Sequence, residues 1–239
     1  VHTLPERPWN GLTALDAYCN IGGSGMGLYL AGFNVVGVDI ADQPNYPFEF
    51  RRADAVDFIH RYGSAFHLIS AGPPCQSKCA LTVGTNASQG WGGDHVDLVA
   101  PTRAALQSTG RPYIIEQPTG KAPIRRDVTL CGEMFGLGVL RHRNFELGGW
   151  EMARPEHRPH RGYTRGWRHG VYRDGPYVAA YGSGGGKATV AEMQTAMGIT
   201  WTDDRRELTE AIPPAYFELL GRHAAAHLTA ALQPAGAAA

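Results

Sequence analysis

The sequence predicts an α/β protein, a mostly parallel sheet covered by helices on both faces. Three observations predict it. The first 40 residues read as strand, glycine turn, helix and strand. Short strand-like runs then alternate with helical ones. The residues best suited to chemistry, at Asp16, Asp39, the Gly72-to-Gln76 turn and Glu116, fall where those strands end. Ligands of open α/β sheets sit beyond the carboxyl ends of the strands, so a site is expected there.

Each element follows from its residues. Leu12 to Leu15 is a mainly apolar run ending at Asp16, and Gly22, Gly23, Gly25 and Gly27 follow, which predicts a strand and a tight turn. A helix is expected from about Met26 to Ala31, stopping near Gly32, and β-branched Val35 to Ile40 predicts the second strand. The alternation continues through Val56 to Tyr62, His67 to Ala71, Val96 to Ser108 and Tyr113 to Ile115. A strand carrying Arg141-His142-Arg143 is expected after Gly136-Leu137-Gly138. From about Gly148 the rhythm breaks, and a compact lobe is expected in which Trp150, Tyr163 and Trp167 find packing, followed by a strand-like Tyr177 to Tyr181. Ala191 to Met197 and Arg205 to Glu210 read as helices, Pro213-Pro214 interrupts, and Ala215 to Leu232 reads as the final helix. The expected division is 1–147 for cofactor binding and catalysis, 148–198 for a small basic lobe, and 199–239 for a helical return to the first part.

Composition excludes several classes. Of 239 residues, 43% are hydrophobic and 18% charged, which removes disordered and fibrous proteins. Four irregularly spaced cysteines do not make a disulfide scaffold, so a reducing, cytoplasmic setting is expected. No run of 18 apolar residues occurs, so no membrane span is expected. Lys+Arg and Asp+Glu are both 22, yet eight arginines fall between Arg141 and Arg173 against Glu146, Glu151 and Glu156. Arginines at that density, with aromatics between them, suit a nucleic-acid backbone.

The chemical groups are read from their settings. The cluster Asp16-Ala17-Tyr18-Cys19-Asn20-Ile21-Gly22-Gly23 gives a backbone that a cofactor can approach closely. Asp39, ending the second strand, is placed to accept hydrogen bonds from ribose hydroxyls. Asp54 suits either an adenine amino group or the N-cap of the following helix. No Lys or Arg lies in the first glycine turn, which favours an adenosyl cofactor without phosphates. Gly72-Pro73-Pro74-Cys75-Gln76 holds a cysteine on a stiff turn, as a nucleophile requires. Cys79 lacks the second close ligand pair of a zinc site, and no metal is expected; metal binding by the crowded histidines is the less favoured reading of that stretch. Glu116, at a strand end, is suited to hold a proton for a ring nitrogen. Strand alternation would put Arg141 and Arg143 on one face, for a phosphate and a base carbonyl.

In this order the motifs resemble those of the DNA cytosine-5 methyltransferases, particularly the short versions encoded by phages of actinobacteria. Leu15 to Gly23 is similar to the family's cofactor loop, Val38-Asp39-Ile40 to its ribose segment, and Ala53-Asp54-Ala55 to its adenine segment. Gly72-Pro73-Pro74-Cys75-Gln76 resembles the catalytic loop, Ile115-Glu116-Gln117 the glutamate motif, and Arg141-His142-Arg143 the paired arginines. Ala211 to Tyr216 resembles the closing motif. The resemblance implies a Rossmann-like, S-adenosylmethionine-dependent methyltransferase fold with a small basic recognition lobe. It also implies Cys75 as nucleophile on a cytosine flipped out of the duplex. Gly72 and Pro73 are expected beside the cofactor. Gln76, Ser77, Lys78, Arg161, Arg165 and Arg168 are expected against double-stranded DNA, and a monomer is compatible with all of this.

The sequence departs from the family at several points. Tyr18 and Asn20 stand for the usual Phe and Gly, Gln117-Pro118 for Asn-Val, Val139 for Gln, Thr209-Glu210 for Gly-Asn, and Ser77-Lys78-Cys79 for an aromatic-containing segment. These departures and the small lobe keep open a single-stranded DNA or cytosine nucleotide substrate, another one-carbon group, and a non-catalytic DNA-binding relative. A dinucleotide oxidoreductase is the most distant reading.

Overall fold

The computed structural model describes residues 3–74, 97–120, 123–168, 170–181 and 188–232. The opening is β1 (Thr13–Ala17), α1 (Gly23–Leu30) and β2 (Asn34–Asp39), followed by β3 (Glu49–Arg52), α2 (Ala55–Tyr62) and β4 (Leu68–Ala71). Next come α3 (Val99–Ser108), β5 (Tyr113–Pro118), β6 (Val128–Leu130) and β7 (Arg143–Gly148). Among the described residues these strands form one seven-stranded sheet in the order β3-β2-β1-β4-β5-β7-β6. The pairs from β3 to β5 are parallel, and β7 runs antiparallel to both β5 and β6. The order reverses between β1 and β4, where strand ends diverge and leave a crevice.

Burial on both faces explains the apolar strand runs. Ala14, Leu68 and Ile114 pack on one side with Leu28, Phe217 and Leu220, while Leu15, Ile69 and Ile115 pack on the other with Ile59 and Leu106. Successive strand residues therefore serve opposite layers, as a sheet covered on both faces requires. β3 lacks that pattern because it is an edge: Glu49, Arg51 and Arg52 are exposed, and charge on an edge strand discourages pairing with other chains. The sequence reading gave this segment no strand.

Beyond β7, residues 149–165 carry no helix or strand, and a hairpin of β8 (Gly166–Arg168) and β9 (Val171–Arg173) follows. Trp150 is buried as expected, its Nε1 donating to the Tyr113 carbonyl at 3.2 Å. Tyr163 and Trp167 are not; they stay 64% and 62% exposed, Trp167 lying edge-on to Tyr172 and Tyr163 beneath Arg173. The expected strand at Tyr177 is reduced to one bridge with Thr164. The chain then forms α4 (Val190–Met197), α5 (Arg205–Glu210) and α6 (Pro214–Leu232). Among the described residues no helix is long and apolar enough to cross a membrane.

Candidate active site

A cleft of about 530 Å3 opens at the carboxyl ends of β1, β4 and β5. Six of the residues expected around a cofactor line it: Asp16, Tyr18, Cys19, Asn20, Gly23 and Gly72. Glu116 lines it as well, joined by Glu210, Ala211 and Ile212 from the far end of the chain. Among the described lining residues there is no Lys or Arg to neutralise a phosphate.

The turn after β1 is held in an unusual shape. Tyr18 (φ 59°) and Asn20 (φ 46°) both occupy the left-handed region without being glycine, a cost that persists where surroundings over-determine the backbone. Those surroundings are visible. The Tyr18 hydroxyl lies 2.7 Å from Thr102 Oγ, Asn20 N donates to Asp39 Oδ2 at 3.1 Å, and Asn20 Oδ1 accepts from Ile21 N at 2.7 Å. Asp39 thus braces the cleft wall from β2 and also accepts from Ala41 N at 3.0 Å. Ile40 beside it is 70% exposed. Asp54 is the N-cap of α2, accepting from Asp57 N at 3.0 Å, which is the capping alternative of the sequence reading.

The glycines also make room for the chain itself. A methyl on Gly23 would lie 2.1 Å from the Ile212 carbonyl oxygen, and one on Gly27 2.2 Å from that of Pro214. At Gly22 (φ 83°) it would meet the Tyr46 ring at 2.8 Å. These positions are small so that the turn and α1 can approach Tyr46, Ile212 and the start of α6 closely, while Gly23 also lines the cleft.

Asp16 is buried with three hydroxyls around it, Ser24 at 2.7 Å, Ser70 at 3.1 Å and Tyr46 at 3.3 Å. Burial outweighs those hydrogen bonds and pushes its carboxyl up to about 7. Nothing in the sequence marked Ser24, Ser70 or Tyr46 for this role. Cys19 is buried too, and burial, together with Asp16 and Asp39, drives its thiol far above the ordinary range. It therefore remains a thiol and is unsuited to nucleophilic attack.

Glu116 is 6% exposed, with Arg143 Nε 2.7 Å from its Oε1. That N–H is not aimed along the contact, so Oε1 has no hydrogen-bond donor among the described residues. Burial raises the Glu116 carboxyl above the usual carboxylate value, with Arg143 and Arg141 pulling the other way. A methyl on Gly72 would lie 3.5 Å from Glu116 Oε2, so the turn after β4 runs past this acid. Buried Gln117 fixes that turn, its Nε2 donating to the Pro73 carbonyl at 2.6 Å. Cys75, Gln76, Ser77 and Lys78 lie outside the described residues.

Arg141 and Arg143 differ in kind. The strand begins at Arg143, so alternation does not relate the two, and Arg141 has left-handed φ of 36°. Its Nη1 and Nη2 donate to the carbonyls of Ala180 and Thr209 at 2.7 and 2.8 Å, which commits it to tying the loop at Ala180 to the last turn of α5. Burial and Arg143 lower it to about 9. Other arginines of the basic stretch are also engaged: Arg154 with the Asp127 and Arg126 carbonyls, Arg161 with Glu133, and Arg165 with Glu192. Arg168 belongs to β8.

No family model and no curated protein matches the sequence. Among solved structures, the Dnmt2 methyltransferase of S. pombe overlays with a TM-score of 0.54 at 14% identity, over 93% of this chain and 99% of that one. A SAM-dependent methyltransferase from Agrobacterium tumefaciens covers 49% of this chain and 41% of its own at 18% identity, with a TM-score of 0.29. Across nearly its whole length, the chain therefore has the Rossmann-like α/β fold of the Dnmt2 methyltransferase structure.

Proposed function

We propose that this protein transfers a methyl group from S-adenosylmethionine to carbon 5 of cytosine in DNA, through a covalent bond to Cys75. The observation that carries the reading is Glu116, a buried carboxyl that burial raises and that is ion-paired with Arg143, beside the Gly72–Pro74 turn that leads to Cys75. The ordered motifs and the fold shared with a methyltransferase support it. The cleft suits an adenosyl cofactor without phosphates, because its polar lining is acidic, amide and hydroxyl. Asp39 would take the ribose hydroxyls, exposed Ile40 would cover the base, and the Tyr18–Asn20 turn would enclose the rest.

S-adenosylmethionine supplies an electrophilic methyl on a sulfonium sulfur. The Cys75 thiolate bonds to carbon 6, and the displaced ring electron pair is matched by proton donation from Glu116 to nitrogen 3, which leaves carbon 5 nucleophilic. Carbon 5 would then accept the methyl group that the bound cofactor would supply, leaving the demethylated thioether as product. Loss of the carbon-5 proton to a base restores the double bond, expels Cys75 as thiolate and returns the nitrogen-3 proton to Glu116. Arg143, held at Glu116, would polarise the base carbonyl, while Arg141 would act through the Ala180 loop and the α5 end that it ties together.

Fluorine at carbon 5 blocks the last proton loss, so 5-fluorocytosine DNA plus cofactor should leave a covalent adduct visible by intact mass. Wild-type protein should form it and Cys75→Ala should not; adduct formation by the variant, or none by wild type on any cytosine substrate, would refute the proposal. A nucleotide or single-stranded substrate is the second reading, favoured by the internal engagement of Arg154, Arg161 and Arg165. Comparing methyl transfer to duplex, single strand and dCMP decides between them.

A further inference from the structure

Away from the cleft, four side chains from three parts of the chain converge on one point. Cys131 follows β6, His142 directly precedes β7, and His157 and His160 belong to the 149–165 arm. Their potential ligand atoms all lie within 4.8 Å of one another. His142 Nε2 and His157 Nε2 are 3.1 Å apart, His157 Nε2 and His160 Nε2 3.3 Å, and His160 Nε2 and Cys131 Sγ 3.4 Å.

Hydrogen bonding alone accounts poorly for this arrangement. A neutral imidazole nitrogen carries one in-plane hydrogen or one in-plane lone pair. His157 Nε2 stands between two other ring nitrogens, so it can satisfy one contact at full strength and not both. A cation at the centre resolves the conflict, since every lone pair then points at the same atom. The spacing suits one cation: bonds of about 2.0–2.1 Å to nitrogen and about 2.3 Å to sulfur put tetrahedral donor atoms roughly 3.3–3.6 Å apart.

We propose that Cys131, His142, His157 and His160 bind a structural zinc ion. A thiolate with three imidazoles in tetrahedral array selects zinc by ligand softness and geometry, and four protein ligands leave no open position for catalysis. The ion joins the arm to the edge of the sheet at β6 and β7. It also fixes the residue between Arg141 and Arg143, one position from the arginine that meets Glu116. The sequence pointed away from a metal because only His157 and His160 are close along the chain; folding brings Cys131 and His142 to them. This assignment does not depend on the methyl-transfer reading.

The test uses the full chain purified without a polyhistidine tag. Elemental analysis should find about one zinc per chain, and Co2+ exchange should give the intense visible bands of a tetrahedral site with a thiolate charge-transfer band. His157→Ala and His160→Ala should each lower retained zinc at least tenfold with the circular dichroism spectrum kept. His223→Ala, on an exposed part of α6, should retain it. Chelation should speed proteolysis within residues 149–165 at least tenfold, a readout independent of enzyme activity. Zinc far below one per chain, retention by His157→Ala, loss on Cys79→Ser instead, or stoichiometric iron or copper in its place would overturn the assignment.

Discussion

At the level of single residues, the chemistry rests on how burial treats acids and thiols. Cys19 and Glu116 both meet the cleft, and burial raises both, with opposite consequences. A raised thiol loses its nucleophile, whereas a raised carboxyl keeps the proton it is to donate. The sign for Glu116 follows directly. Its protonated form is complete below the unfolded value and is lost as pH rises through the raised folded value, so turnover should fall on the alkaline side of that value. Glu116→Gln should lower kcat by about 10²–10⁴ and remove that alkaline decline, while cofactor affinity measured by calorimetry stays near wild type. An unchanged pH profile in the variant would take Glu116 out of the reaction. Its place at a strand end was legible in the sequence. Its ion pair with Arg143 and the Gln117 tie to Pro73 were not, because they depend on what β7 and the turn after β4 bring alongside.

At the level of elements, the glycines of α1 show how a legible pattern can carry an unforeseen cause. Their clustering after β1 was plain, and the strand-turn-helix they predict is present. What Gly27 makes room for is α6, nearly two hundred residues later in the chain, which no local pattern reveals. Gly27→Ala tests this at a glycine that does not itself line the cleft. Its new methyl would fall 2.2 Å from the Pro214 carbonyl oxygen and 2.6 Å from Phe217 Cβ, so the two helices must part. Urea denaturation should show a loss of about 3 kcal/mol or more, at the upper end of overpacking costs. Alanine's higher helix propensity would otherwise stabilise this position, so a gain in stability would refute the close-packing account. β3 was missed for the opposite reason, since an edge strand buries little and carries charge where a central strand carries apolar residues.

Across the whole molecule, the antiparallel β7 gathers distant parts of the chain around the site. Its Glu146 is fully buried and takes Arg103 Nε at 2.8 Å and Arg103 Nη2 at 2.7 Å from α3, with Arg125 N at 3.0 Å. Burial opposes ionisation of this carboxyl, yet the hydrogen bonds from Arg103 and Arg125 hold it below its ordinary value. A depressed carboxyl contributes stability above its unfolded value and loses it as pH falls through the folded one. Glu146→Gln should therefore cost about 3 kcal/mol at neutral pH and flatten the acid limb of a denaturation series, because an unpaired Arg103 remains. Equal acid sensitivity in both proteins would count against the network. By itself the sequence determined the βαβ opening, the alternation of layers and the positions of Asp16, Asp39 and Glu116 at strand ends, because periodicity and turn chemistry are local. The tertiary structure decided which glycines face α6, which arginines are already engaged, and that one cysteine and three histidines meet at a point. Those outcomes depend on residues far apart in the chain, and only the folded sheet brings them within bonding distance.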